Sequence, residues 1–469
     1  MLLRKHGRLS IIAAAVSLTM MLSSCGTPIL DTDKIGENDL SVLSRLDGNS
    51  NDSLNKPEDS SADESKTDSE STPDEQSSVP EADSSVPDDT SSQAETDPKE
   101  SQFESVPDDS MPTSGKTKVH LCCAGDNLIH DNIYVDAQKA DGSYDFSKCY
   151  APCKKLIEGA DIAILNQESL VNDAFAPSTF PLFSTPTACG DAVVDFGFNV
   201  ISMSNNHVLD MGATGLLNSL DYWDSKDVVH YGAYRSVEDS ETIRTMTKNG
   251  IKFAFLGYME HTNAIFLDSN GPGKVVYLSD EATIQRQIEA ADKIADVVVV
   301  SCHYGTEIMN ELNAQQMYIT PKLVEWGADL IIGTQAHALS TCEYLDKPDG
   351  GQAFVYYGLG NFLHTMYDAD NSDGRQGKSL VGIFGSLDII KDFDNGGKIT
   401  IENVKAIPVI SHYEGETWTS MWYNCVVYPY ADYPDSLWAK HMMHWRSGIQ
   451  RSDLERCISY IPKQFLAWE

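Results

Sequence analysis

Val297-Val298-Val299-Val300-Ser301-Cys302-His303 is a run of four β-branched residues that ends in a polar triplet, and its reading decides the fold. A strand with one wet face places a polar residue at every second position. Four valines in succession describe instead a strand covered on both sides, as in parallel sheets flanked by helices. The pattern recurs four times. Apolar runs at 119–124, 162–165, 200–203 and 330–332 lead into Gly125-Asp126, Asn166-Gln167-Glu168, Asn205-Asn206-His207 and Gly333-Thr334-Gln335-Ala336-His337. Helical periodicity lies between them at 213–223, 280–294 and 315–326. Two more strands are expected at 381–390 and 399–409, around a polar turn at 391–397. The expectation is a two-sheet α/β sandwich with five polar clusters at the carboxyl ends of strands, where ligands of such sheets bind.

The clusters are Asp126, Glu168, Asn206 with His207, His303 and His337. Carboxylate, amide and imidazole from separate strand ends form a ligand set for a hard or borderline divalent ion. A pair of such ions bridged by one carboxylate activates a water and clamps a phosphoryl or acyl oxygen. Taken singly, each residue is an ordinary cap or loop residue, because Asp and Asn favour strand-to-helix turns. Five in register after five strands argue for a shared site.

The rest of the chain bounds the partners. Of 469 residues, 34 are Lys or Arg and 70 are Asp or Glu, a net charge of −36, so a nucleic-acid partner is excluded. About half of that charge sits at 26–115, a Ser/Asp/Glu/Pro/Thr stretch too poor in apolar residues to fold, and read as a disordered acidic tether or a glycosylated stalk. Before it, Arg4, Lys5 and Arg8 precede an apolar run at 11–22, the pattern of a secretory signal. Leu22-Ser23-Ser24-Cys25 resembles the lipobox of bacterial lipoproteins. Acylation of Cys25 would hold the protein at the extracytoplasmic face of the cell membrane by a lipid anchor rather than a span. The globular domain is placed at 116–410, followed by an extension at 411–469 rich in aromatics, including Trp418, Trp422, Trp438 and Trp445. Capping of the core is the expected role of these aromatics, with a polymer-binding platform as the alternative. Nine cysteines besides Cys25 leave at least one thiol without an intrachain partner. Gly374-Arg375-Gln376-Gly377-Lys378-Ser379 lacks the spacing of a phosphate loop, so no ATP site is inferred.

The order Gly125-Asp126, Asn166-Gln167-Glu168-Ser169, Asn205-Asn206-His207-Val208-Leu209-Asp210-Met211-Gly212, His303-Tyr304-Gly305, Gly333-Thr334-Gln335-Ala336-His337 and Gly358-Leu359-Gly360-Asn361-Phe362 resembles the CapA capsule-synthesis family. The resemblance implies the calcineurin-like metallophosphoesterase type of α/β sandwich, with divalent metal ions (Mn, Mg, Fe or Zn) as cofactors. It implies that Asp126 and His337 hold a first ion, that Glu168 bridges, and that Asn206 and His303 hold a second. His207, with Asp210, becomes the acid/base or transition-state stabiliser. In that family the last motif is Gly-x-His-Pro-His. Gln335 stands where an imidazole is expected, and a neutral amide is the weaker ligand for a transition metal, so the second site is expected to be weakened, more magnesium-like or calcium-like, or empty. Leu128 likewise stands where ordinary phosphoesterases carry a histidine. The implied partners are an anionic cell-surface polymer such as poly-γ-glutamate and membrane proteins of capsule synthesis and export. The implied role is metal-dependent action on that polymer in its synthesis, anchoring or processing. A non-catalytic polymer-binding or assembly subunit and a plain extracytoplasmic phosphoesterase stand as alternatives.

Overall fold

A computed structural model describes residues 100–102, 112–366, 376–417 and 419–469. The signal segment, Cys25, Trp418 and nearly all of the acidic stretch lie outside the described residues. One sheet runs in the order β1 (Glu100–Gln102), β7 (Ile243–Lys248), β8 (Ile251–Met259), β10 (Val297–Tyr304), β11 (Leu330–Gln335), β13 (Gln352–Tyr356) and β12 (Cys342–Asp346). The other runs β17 (Tyr423–Pro429), β16 (Lys398–Glu414), β15 (Val381–Asp392), β2 (Lys116–Asn127), β3 (Ile162–Asn166), β4 (Val200–Ser202) and β5 (Val229–Tyr231). A short β14 (Asn361–Leu363) pairs with β2, and β6 (Ala233–Tyr234) with β9 (Lys274–Val275) forms a separate ribbon. Together with the helices, these sheets make the α/β sandwich expected from the valine run.

Strand β10 shows why. Every one of its residues is buried, and successive side chains point to opposite faces. Val297 and Val299 enter the large core shared with Val119 and Leu121 of the other sheet. Val298, Val300 and Cys302 face a second core built with Ile284 and Ile288 of the helix Glu281–Ile294 and with Ile319 and Leu323 of the helix Ala314–Glu325. One sheet is thus covered by the other sheet on one side and by helices on the other. Both helices start on side-chain caps: Asp280 accepts from the Thr283 amide, and Asn313 forms a capping box with Gln316.

Strands β2 to β5 are mutually parallel, as are β8, β10, β11 and β13, so within each set the carboxyl ends lie on one side. The expected strands at 381–390 and 399–409 are β15 and β16, and β15 pairs antiparallel with β2 from Phe384 opposite Ala124 to Asp392 opposite Lys116. Strand β16 continues to Glu414, so the aromatic segment begins inside the sheet. Tyr413 and Trp422 stack at 5.0 Å and, with Trp438, join the large core, as core capping requires. Trp445 and Trp468 remain exposed. Within the stretch read as tether, Glu100–Gln102 pairs in parallel with the edge strand at Ile243.

One glycine is dictated by a crossing near the site. A Cβ on Gly125 would lie 1.9 Å from the Gly360 carbonyl oxygen, the same oxygen that accepts from the Asp126 amide at 3.0 Å. Among the described residues no helix is long and apolar enough to cross a membrane. All nine described cysteines are buried and unpaired.

Candidate metal centre

Asp126 is the penultimate residue of β2, Glu168 lies two residues past β3, and His337 lies two residues past β11. The two sheets bring one ligand atom from each within 4.8 Å of the others, and all three side chains are buried. His303, inside the carboxyl end of β10, stands beside them, its Nε2 3.6 Å from Glu168 Oε1; His337 Nε2 is also 3.6 Å from that oxygen. Asn206 Oδ1 lies 3.0 Å from His303 Nε2. Five of the clusters read from the sequence therefore meet in one place.

Neighbouring side chains fix the geometry. Asn166 donates to Asp126 Oδ1 at 2.7 Å. His337 Nδ1 lies 2.9 Å from Asn361 Oδ1 and 3.2 Å from Asp126 Oδ2, so a proton on Nδ1 leaves Nε2 as the free lone pair. His303 Nδ1 is 2.9 Å from the Thr334 hydroxyl. Gln335 donates from Nε2 to the Gly305 carbonyl at 2.9 Å. Gln335 and His337 are both held at positive φ, +88° and +49°, an unfavourable backbone for residues with side chains and a recurrent feature of functional loops.

The electrostatics follow from burial. Dehydration drives the His303 imidazole well below its ordinary value, so it is neutral. Dehydration also works on His337, but Glu168 and Asp126 outweigh it and push that imidazole up to about 10. Burial raises the Glu168 carboxyl, with His337 and His207 opposing. At His207 dehydration is again outweighed, here by Asp210 first, and the pKa rises. His207 Nδ1 is 2.8 Å from Asp210 Oδ2, which also accepts the Phe183 amide at 2.7 Å. The Phe183 ring stands edge-on to His207 at 4.7 Å.

The residues fit a divalent cation. Both Glu168 oxygens and His337 Nε2 are buried and have no hydrogen-bond partner in the protein. Leaving a dry carboxylate unpaired is strongly unfavourable. A proton on His337 does not remove the problem, because it supplies one positive charge to two carboxylates, and at 3.6 Å from Glu168 Oε1 it leaves its own Nε2 and both Glu168 oxygens without hydrogen-bond partners. Donors bound at about 2.0–2.2 Å to one ion stand about 3.0–3.6 Å apart, the spacing found between Glu168 Oε1 and the imidazoles at 3.6 Å.

Asn166, Thr334 and Asn361 were quoted within the motifs without a role; the structure makes them the orienting partners of Asp126, His303 and His337. They flank the ligands in sequence, which is the signal that could have found them. Phe183 carried none. Leu128 packs with Phe183 and Met366 in a small apolar cluster.

Comparison with known proteins gives a family for the segment that carries these residues. The family described as bacterial capsule synthesis protein PGA_cap matches residues 120–366, which include every ligand discussed above. The capsule biosynthesis protein CapA of Bacillus anthracis is 28% identical over 175 residues, 37% of this chain and 41% of that protein. The PGA biosynthesis protein CapA of Bacillus subtilis (strain 168) is 31% identical over 171 residues, 36% of this chain and 43% of that protein. The matched stretch is less than half the length of either relative. Among solved structures, a phosphatase from Mycoplasma pneumoniae is similar at 12% identity, covering 63% of this chain and 94% of that one with a TM-score of 0.38. With more than half of its length matched, the chain belongs to the bacterial capsule synthesis protein PGA_cap family.

Proposed function

We propose that the protein acts in the synthesis, anchoring or processing of a bacterial capsule polymer of the poly-γ-glutamate type, through a divalent-metal centre at Asp126, Glu168 and His337. The observation that carries this reading is the dry Asp/Glu/His group with its partnerless donor atoms, lying inside the segment shared with the capsule family. The names of the two relatives support the polymer. The reading also places the protein at the extracytoplasmic face of the membrane, anchored at Cys25, on the strength of the Leu22-Ser23-Ser24-Cys25 sequence.

A divalent ion held there supplies Lewis acidity to a carbonyl or phosphoryl oxygen and lowers the pKa of a water. The chain supplies the proton chemistry. His207 Nε2 is buried and has no partner in the protein, while Asp210 occupies Nδ1. That arrangement leaves Nε2 to take a proton from a nucleophile or to give one to a leaving group, with Asp210 stabilising the imidazolium. The Phe183 amide fixes Asp210, and its ring stands edge-on against His207. Asn166 and Asn361 hold a carboxylate and an imidazole in the rotamers that face each other.

The test is to incubate the full chain, with and without added Mn2+, with poly-γ-glutamate and separately with a generic phosphate ester. Fragment size and free phosphate are then read for wild type and His207→Ala. The expected result is ion-dependent polymer processing that falls about 10²–10⁴-fold in the variant, the range for loss of a general acid or base. Polymer binding without turnover, indifferent to the ion, overturns the catalytic reading.

A further inference from the structure

Strand β8 ends beside β10, Met259 lying opposite His303 in a parallel pair. The segment after it, Glu260-His261-Thr262-Asn263-Ala264, lies outside every motif quoted above, yet it is stitched to the centre. The Glu260 amide donates to the His303 carbonyl at 2.9 Å, and Glu260 Oε2 accepts the Gly305 amide at 3.3 Å. The chain then turns tightly. The Ile265 amide donates to the Thr262 carbonyl at 2.8 Å, and the buried Thr262 hydroxyl donates to the Ile265 carbonyl at 2.6 Å. Having given its one proton there, that hydroxyl accepts from Tyr277 at 2.8 Å. The two residues in between, Asn263 and Ala264, have φ of +51° and +60°. Positive φ at both central positions of a turn favours glycine or asparagine, and an alanine persists there only where surrounding bonds hold it. The turn is therefore kept in one shape.

What it presents is a carboxamide between two residues of the site. Asn206 Nδ2 donates to Asn263 Oδ1 at 3.3 Å, and Asn263 Nδ2 lies 3.4 Å from His207 Nδ1. The first contact settles which way Asn206 is turned. With its nitrogen given to Asn263, its oxygen is the atom 3.0 Å from His303 Nε2. The second contact is not the bond that takes the ring proton, because Asp210 Oδ2 accepts that proton at 2.8 Å. There the Asn263 amide abuts the imidazole and limits its swing about the Asp210 bond.

On the reading above, in which His207 handles protons beside the metal ligands, we propose that Asn263 is a positioning residue of the site. Its amide keeps the Asn206 oxygen turned toward His303 and braces His207. Asn206 and His207 are neighbours in the chain whose side chains serve different partners, His303 and Asp210. One amide in contact with both ties the two settings together, which the backbone between them does not. Asn263 is half-buried where Asn206 and His207 are buried, so replacing it alters the site without opening the core.

The full chain, carrying isotope-labelled histidine and stripped with a chelator, is examined by nitrogen magnetic resonance. The His207 and His303 rings are assigned by the signals that vanish in His207→Ala and His303→Ala. Asn263→Gly removes the amide and tolerates positive φ, and it is expected to move both ring signals. Asn263→Asp keeps an oxygen for Asn206, so it is expected to move the His207 signal and leave that of His303. Asn263→Ala carries the first test if the glycine variant does not fold. With Mn2+ and poly-γ-glutamate, the glycine variant is expected to lose about 10–100-fold in kcat with KM nearly unchanged, the range for partners that orient a site. Ring signals that stay at their wild-type positions in the glycine variant overturn the inference, as does a loss confined to KM. A wild type without turnover refutes the catalytic reading, and the ring signals, which need neither metal nor polymer, then decide the inference by themselves.

Discussion

Replacing Glu168 by Met is expected to change the stability of this protein in opposite directions with and without metal. Glu168 is fully buried and neither of its oxygens accepts a hydrogen bond. Burial raises its carboxyl pKa, which means that the ionised form is less at home in the folded chain than in the unfolded one. Met has nearly the same length and no polar atom, whereas Gln would bury an amide with new unmet donors. Apolar replacement of buried charges stabilises by up to about 1–4 kcal/mol where no partner is left unpaired, and Asp126, 3.2 Å from His337 Nδ1, keeps that imidazole paired after the exchange. For the roughly 350 described residues the unfolding entropy makes each kcal/mol about 1.4 °C, so the metal-free variant is expected to melt about 1–6 °C above wild type. With Mn2+ at a thousand times its dissociation constant, wild type gains about 4.1 kcal/mol that the variant forgoes, and the order reverses. The sign also depends on pH. A raised carboxyl pKa is a penalty present above that pKa and absent below it, so the metal-free difference shrinks as pH falls through the raised value. The assay is a set of melts of both proteins in chelator and in excess Mn2+, across acid to neutral pH. A variant less stable than wild type in chelator, or a wild-type melting point that ignores Mn2+, refutes the reasoning.

Three further outcomes follow from particular contacts. Asn361→Ala frees the His337 ring and should weaken ion retention about 10–100-fold with the fold intact, measured by metal titration. Gly125→Ala places a methyl 1.9 Å from the Gly360 oxygen in a backbone crossing that cannot yield, so this variant should lose more than about 3 kcal/mol or fail to fold, read by chemical denaturation. The nine described cysteines should resist a thiol reagent in the native state and react together on denaturation. Burial raises the thiol pKa wherever a value is resolved, to about 12 at Cys122 and Cys189, and a native subset reacting fast would contradict their burial.

The parallel strands were legible because their side chains are buried on both faces, which forces continuous apolar runs such as Val297 to Val300 and leaves the polar residues to the strand ends. Asp126, Glu168 and His337 were legible for the same reason: each follows a run at a fixed offset of no more than two residues from its strand. Asn361 was harder to read, since its role depends on a glycine-rich crossing between Gly360 and β2 that no periodicity reports. Phe183 was not legible at all. It reaches His207 from a loop, and a lone aromatic between Leu182 and Ser184 looks the same whether it fills a core or walls a site. The aromatic segment was read as beginning beyond the sheet, because sequence shows where composition changes and not where backbone pairing stops. Strand β16 carries the ladder through that change, to Glu414.

The pairing of β15 with β2 has a consequence for how the chain comes to be folded. The strand that delivers Asp126 has β3 on one side and, on most of its other side, a strand about 260 residues further along; Lys118 meets Asp388 across that seam. Closing so long a loop is slow, and until it closes the half-built sheet exposes one edge of β2 to any other extended chain. A ribosome that has released the whole family-matched segment, 120–366, has still not released the strand that seals it. Assembly of the centre is therefore a late event in the life of each new chain, and a holding chaperone has its natural target in the interval.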